Sequence, residues 1–164
     1  MDVKKLLTSL DDPVFGEWPG GWSVQLEQRV SARFQALAER VRALFDTALN
    51  IDCFPHVQDA SFFGDVRVPS DTTDSGLSIG VRVSNFGSLA ILYVESPGAF
   101  TEAEFRQMVH PRDVDRLASA TSDAGLTVIP EDELWQPYDG VNLMNVARLN
   151  PENCTWFTRY FDYI

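Results

Sequence analysis

Reactive side chains are scarce in this 164-residue chain, which has two cysteines, Cys53 and Cys154, and two histidines, His56 and His110. Two thiols far apart in sequence do not make the dense disulfide framework of a small secreted domain. A structural zinc site needs four ligands, typically in two paired clusters. Cys53 and His56 sit close together with Asp52 and Asp59 nearby, but Cys154 and His110 are isolated, so the second cluster is missing and no metal is expected. Cys53 reads instead as a small buried apolar residue. Neither histidine lies beside a nucleophile in a recognisable local pattern, and surface or capping roles are expected of both.

Positive charge is scarce too. The chain has 13 Lys+Arg against 24 Asp+Glu, a net charge of -11. That balance opposes binding that depends on neutralising phosphates, and equally docking on an anionic membrane. No apolar run approaches the roughly 20 residues that span a bilayer. Met1–Leu10, with Lys4 and Lys5, lacks the apolar run of a signal peptide, so the cytosol is the expected compartment. The glycines form neither a Walker loop nor a dinucleotide fingerprint, and basic residues do not interleave with aromatics on a strand. Asp113 and Asp115 would not face each other on a helix. No cofactor and no nucleic-acid partner are expected.

What is present is a core. Hydrophobic residues make up 45% of the chain, which suits one domain over 1–164. Residues 1–22 read as an irregular N-terminal arm, broken by Pro13, Gly16, Pro19, Gly20 and Gly21 and carrying Val14, Phe15, Trp18 and Trp22 as anchors. Ser23 is a good N-cap. Val30, Phe34, Leu37, Val41, Leu44 and Phe45 recur at helical steps, so the pattern predicts a long amphipathic helix over Val24–Leu49. Arg29, Arg33, Arg40 and Arg42 give that helix a basic side. Strands are expected over Gln58–Val68, over Leu77–Val83, where apolar and polar residues alternate, and over Leu89–Val94, with a tight turn at Asn85–Ser88. Pro69–Gly76 reads as a mobile acidic loop.

Thr101-Glu102-Ala103-Glu104 fits a capping box. A helix follows until Pro111, and a second over Asp113–Ala124 is stopped by Gly125. Leu126–Ile129 reads as a short strand, and the aromatic tail Thr155–Ile164 is expected to dock on the sheet or the long helix. The fold class is therefore α+β: an antiparallel sheet of three to four strands packed against a long amphipathic helix, with shorter helices C-terminal.

Acidity is uneven. Residues 1–55 carry a net of -2, residues 56–100 a net of -3, and residues 101–164 a net of -6. The candidate site is the segment containing Glu131, Asp132, Glu133, Trp135, Tyr138 and Asp139. Acids around a Trp and a Tyr have the composition of a surface that binds a basic protein. The same composition also fits aromatics that pin a loop while the acids face water. Asp71 and Asp74 form a second candidate patch.

Tyr138-Asp139-Gly140, followed by Trp156-Phe157-Thr158-Arg159-Tyr160-Phe161-Asp162-Tyr163, resembles the close of small acidic bacterial proteins of the kind that includes immunity proteins of polymorphic toxin systems. The resemblance covers about a fifth of the chain. It implies a non-enzymatic protein that binds a toxin directly, often a basic nuclease, and it assigns no functional residue. Two other classes stand beside that expectation. One is a small enzyme with a site assembled from dispersed residues around His56 or His110. The other is a structural or adaptor subunit that self-associates through its tail or long helix.

Overall fold

A computed structural model describes residues 2–11, 24–53, 64–85, 88–149 and 152–162. His56, the arm residues 12–22, the Gln58–Phe63 part of the first expected strand and the middle of the Asn85–Ser88 turn lie outside the described residues.

The chain opens with α1, Val3–Leu10. Residues 1–22 were expected to be irregular throughout, and for this stretch the structure corrects that. The helix-breaking Pro and Gly begin only at Pro13, and Asp2 caps the helix by accepting the Lys5 amide at 3.0 Å. Val3 and Leu7 are its buried side.

The long helix α2 spans Val24–Phe45. Phe34, Leu37, Ala38, Val41 and Phe45 are buried at the expected three- and four-residue steps. It ends before the expected Leu49 because Asp46 turns left-handed, with φ 50°. Asp tolerates that conformation better than most residues.

The sheet has five strands in the order β1 (Asn50–Cys53), β2 (Gly64–Val68), β3 (Ile79–Val83), β4 (Leu89–Val94) and β5 (Thr127–Val128). The first four pair antiparallel, in registers such as Val66↔Val81 and Val81↔Leu92. β5 runs parallel to β4, with Leu89↔Thr127 and Ala90↔Val128. The sheet is therefore mixed, not purely antiparallel, and larger than three to four strands. β1 was missed because its polar residues directly after α2 read as a stop signal. The parallel pairing follows from the crossover formed by α3 (Glu102–Met108) and α4 (Pro111–Asp123), which returns the chain to the start of β4. The Thr101–Glu104 capping box is present at α3, with both of its bonds made. His110 caps α4, and Pro111 opens that helix instead of interrupting it.

Alternation along the strands sends Val66, Val68, Ile79, Val81, Val83, Ala90 and Leu92 into one core with α2, Phe105 of α3 and Leu117 of α4. Leu89 and Ile91 point to the opposite face. There they pack with Val3 and Leu7 of α1, Leu134, and Trp156, Tyr160 and Phe161 of α6 (Trp156–Phe161). Helices therefore cover both faces at β4, and this explains why all six of its residues are buried. The described part of the aromatic tail, Trp156–Phe161, docks on this second face. No helix among the described residues is long and apolar enough to cross a membrane.

Candidate docking surface

The segment from Pro130 to Met144 is held by buried groups on its inner side. A 3-10 helix spans Glu131–Trp135, and its Leu134 is fully buried. Tyr138 donates its backbone N–H to the Cys154 carbonyl at 3.0 Å, and Trp156 donates to Gln136 at 3.2 Å. The Tyr138 ring meets Trp156 edge-on, with centroids 4.7 Å apart.

Beneath the following turn lies the Asp11 carboxylate. Its Oδ1 accepts from Arg159 Nε at 2.9 Å. Its Oδ2 accepts from the Tyr138 hydroxyl at 2.6 Å and from the Val141 amide at 3.0 Å. The Tyr138 oxygen in turn accepts from the Asn142 amide at 2.9 Å. Both charged side chains of this ion pair are buried, at 0% and 1% exposure for Arg159 and Asp11. A side chain at Gly140 would collide with Asp11 and the Tyr138 ring, so the turn needs glycine there. Burial, with the bond to Asp11 adding to it, pushes the Tyr138 hydroxyl well above its ordinary pKa, so it stays a donor.

Outside these anchors the segment turns apolar side chains to solvent. Trp135 is 40% exposed, Val141 62%, Leu143 43% and Met144 83%. The inner face of Trp135 stacks on Phe157, with centroids 4.3 Å apart. Met144 sits near the start of α5, Leu143–Leu149. Three of these exposed side chains, Val141, Leu143 and Met144, fall within four residues of chain, which is more than the scattered exposure normal for a surface.

The six candidate residues of this segment separate into two groups. Glu131 and Tyr138 are buried and work from beneath, which corrects their reading as contact residues: each has its polar atoms engaged inside the fold. Glu131 accepts the Gly98 amide. Burial raises its pKa to about 7, against the opposing pull of the Gly98 N–H, the Trp135 indole and the Arg82 charge. Asp132, Glu133, Trp135 and Asp139 are exposed. Asp132 accepts the Glu102 amide at the start of α3, at 3.1 Å. Asp139 pairs with Lys4, which holds its carboxyl below the usual range.

The second patch is divided. Asp71 is exposed on a 3-10 turn at Ser70–Thr72. Asp74 lies 3.3 Å from Arg116, and the fully buried Asp113 accepts the Asp74 and Ser75 amides at 3.2 and 2.8 Å. The expected mobile loop is thus tied at its tip to the first turn of α4.

His110 uses Nδ1 to accept the Arg112 amide at 3.2 Å. Cys154 is half-buried, and burial raises its thiol pKa, which disfavours the nucleophilic thiolate. Among the described residues, no three His, Cys, Asp or Glu side chains converge as metal ligands.

Sequence reasoning missed Asp11, which lay in the supposed arm, and Val141, Leu143 and Met144, which merged with the docking tail. It also missed a network on the sheet face beside α1. Asp65 accepts from Arg82 Nε at 2.9 Å and from the Tyr93 hydroxyl, whose ring lies across Gly80. Arg67 donates to the Tyr93 oxygen at 3.4 Å. The available signal was the placement of Asp65, Arg67 and Arg82 at alternate positions of paired strands.

No protein-family model matches this chain, and neither curated proteins nor solved structures show a match to it.

Proposed function

We propose that this protein is a non-enzymatic acidic binding protein of the immunity type, which blocks a basic protein partner, such as a toxin, by docking it on the outer surface of Glu131–Met144. One observation carries the reading: four exposed apolar side chains, Trp135, Val141, Leu143 and Met144, on one segment that also carries the exposed carboxylates Asp132, Glu133 and Asp139 and is anchored by a buried ion pair. Trp and Met are enriched at protein interfaces, and Met adapts its shape to a partner. Carboxylates on the same segment steer a cationic partner and favour its register. The last third of the chain, with a net of -6, supplies the strongest field.

A specific observation favours a second reading, an enzyme. Glu131, with its pKa near 7, borders a crevice that Tyr93, Ser96, Thr101 and Glu102 also line. Its free volume of about 10 Å3 holds a single water at most, which disfavours it as a substrate site.

The test uses the protein encoded beside this chain's gene, purified alone and mixed with the full chain. The association rate should fall as salt rises. Trp135→Ala and Met144→Asp should each weaken binding about tenfold or more, as central interface residues do. Asp71→Lys should change nothing. A salt-independent rate together with wild-type affinity in both variants would refute the docking surface.

A further inference from the structure

Glu131 is a buried acid on the same 3-10 helix as the exposed Trp135, and its carboxylate is bonded to a separate piece of the fold. Its carboxylate accepts the Gly98 amide from the β4–α3 connection. Trp135 stands at the other end of the same 3-10 helix. Gly98 lies directly under the Trp135 ring, so close that a side chain there would press into the indole, and its φ of 78° excludes most other residues. One carboxylate therefore holds the loop on which the Trp135 ring rests.

The groups facing this carboxylate are few. Arg82 of β3 acts on it as a positive charge, and the neighbouring Asp132 as a negative one. Tyr93 of β4, with Glu102 and Thr101 at the start of α3, lines the same crevice. Tyr93 donates its hydroxyl to Asp65. The Glu102 carboxylate is paired with Arg106 at 2.7 Å, and the Asp132 carboxylate accepts the Glu102 amide. The charges around Glu131 are thus largely paired with one another, and the donor bonded to Glu131 is a neutral backbone amide.

We infer that Glu131 is a proton-operated latch on the docking surface: ionised, it holds the Gly98 loop beneath the Trp135 ring, and protonated it relaxes that hold, so that docking of a basic partner weakens as the medium turns acidic. The inference rests on the docking reading for its consequence, though not for its chemistry. Ionised acceptors form stronger hydrogen bonds than neutral ones, so protonation weakens the bond to Gly98. It also removes one negative charge from directly behind the surface that attracts a cation. Because burial places the titration at about 7, the change falls within the range where cellular pH varies.

The experiment is a solution NMR titration of the full chain, following the Gly98 amide from acid to mildly alkaline pH. In the wild type this amide should shift with an inflection near pH 7. In Glu131→Gln, which keeps the shape and one acceptor oxygen, that inflection should vanish. In Trp135→Phe, which keeps the Gly98 bond, it should remain. A flat Gly98 profile in the wild type, or an inflection that persists in Glu131→Gln, overturns the latch whatever any partner does. Affinity for the partner should drop by roughly threefold to tenfold on acidification across the inflection, the range a coupling of under one pKa unit produces. A clear Gly98 inflection with unchanged affinity overturns the coupling to docking. Failure of the docking reading itself shows separately, as a salt-independent rate with wild-type affinity in both Trp135→Ala and Met144→Asp.

Discussion

Asp11 illustrates how much one residue can organise. It joins α1 to α6 through Arg159 and to the Gly140 turn through Tyr138 and Val141. Taking two charges out of water is costly, and their attraction offsets that cost only while every bond is made. Asp11→Asn should therefore lower stability by about 3–5 kcal/mol, since it strands a buried guanidinium and sets an amide N–H against existing donors. Lys4–Asp139 is the contrast, an ion pair between exposed side chains. Water screens it, so Asp139→Asn should leave the urea midpoint unchanged within error. Urea unfolding at constant slope checks both, and equal midpoints for the two variants would show that the Asp11 cluster is not the anchor described. Gly140→Ala belongs with the first case. The added methyl meets the Asp11 carboxylate and the Tyr138 ring, and a cost of about 1–3 kcal/mol is expected from such overpacking.

Among the elements, α1 and α3 differ in what they contribute. α1 is short, but Leu7 is 1% exposed and packs in the core shared with α6. Leu7→Ala should cost about 2–5 kcal/mol, the range for a buried leucine. Thr101→Ala breaks the α3 capping box at the surface and should cost about 1 kcal/mol. If thermal unfolding ranks these two the other way, α1 is a peripheral strap. The contrast also shows what can be read from sequence. α2, β3, β4 and the capping box were legible because each writes its own local signal: a helical apolar step, an alternation or a cap spacing. β1 and α1 were not, because their structure depends on distant partners, β2 in one case and the tail aromatics in the other. The candidate site was half legible. Its composition marked the segment, but a loop has no period that separates inward from outward residues. Nothing local could therefore tell Glu131 and Tyr138, which point in, from Glu133 and Trp135, which are exposed. The bond from Tyr138 to Asp11 spans 127 residues of chain and has no sequence signature at all.

For the whole molecule, a net charge of -11 and Glu131, a buried acid whose pKa burial raises, set the response to pH. The ordinary pKa of a Glu is 4.5, and burial raises that of Glu131 to about 7. Between those values the folded state binds more protons than the unfolded chain. By linkage, stability then falls as pH rises through that window, and the loss is complete above it. Glu104 and Asp139 work in the opposite sense, because their bonded partners lower their pKa. Their contribution is present at neutral pH and is lost only as pH falls through the acid range, below the Glu131 window. The wild type should therefore be most stable in mildly acidic solution, near the lower end of the Glu131 window, and less stable at neutrality. A loss on the order of 1–2 kcal/mol is expected, reduced from the full shift because solvent still reaches part of the site. Glu131→Gln carries no charge in either state, so its stability should stay nearly level across the same window and exceed that of the wild type at pH 8. Chemical unfolding of both proteins at a series of pH values decides the point. Parallel pH profiles would mean that Glu131 is ionised without penalty, and that general repulsion among the surface carboxylates accounts for any decline.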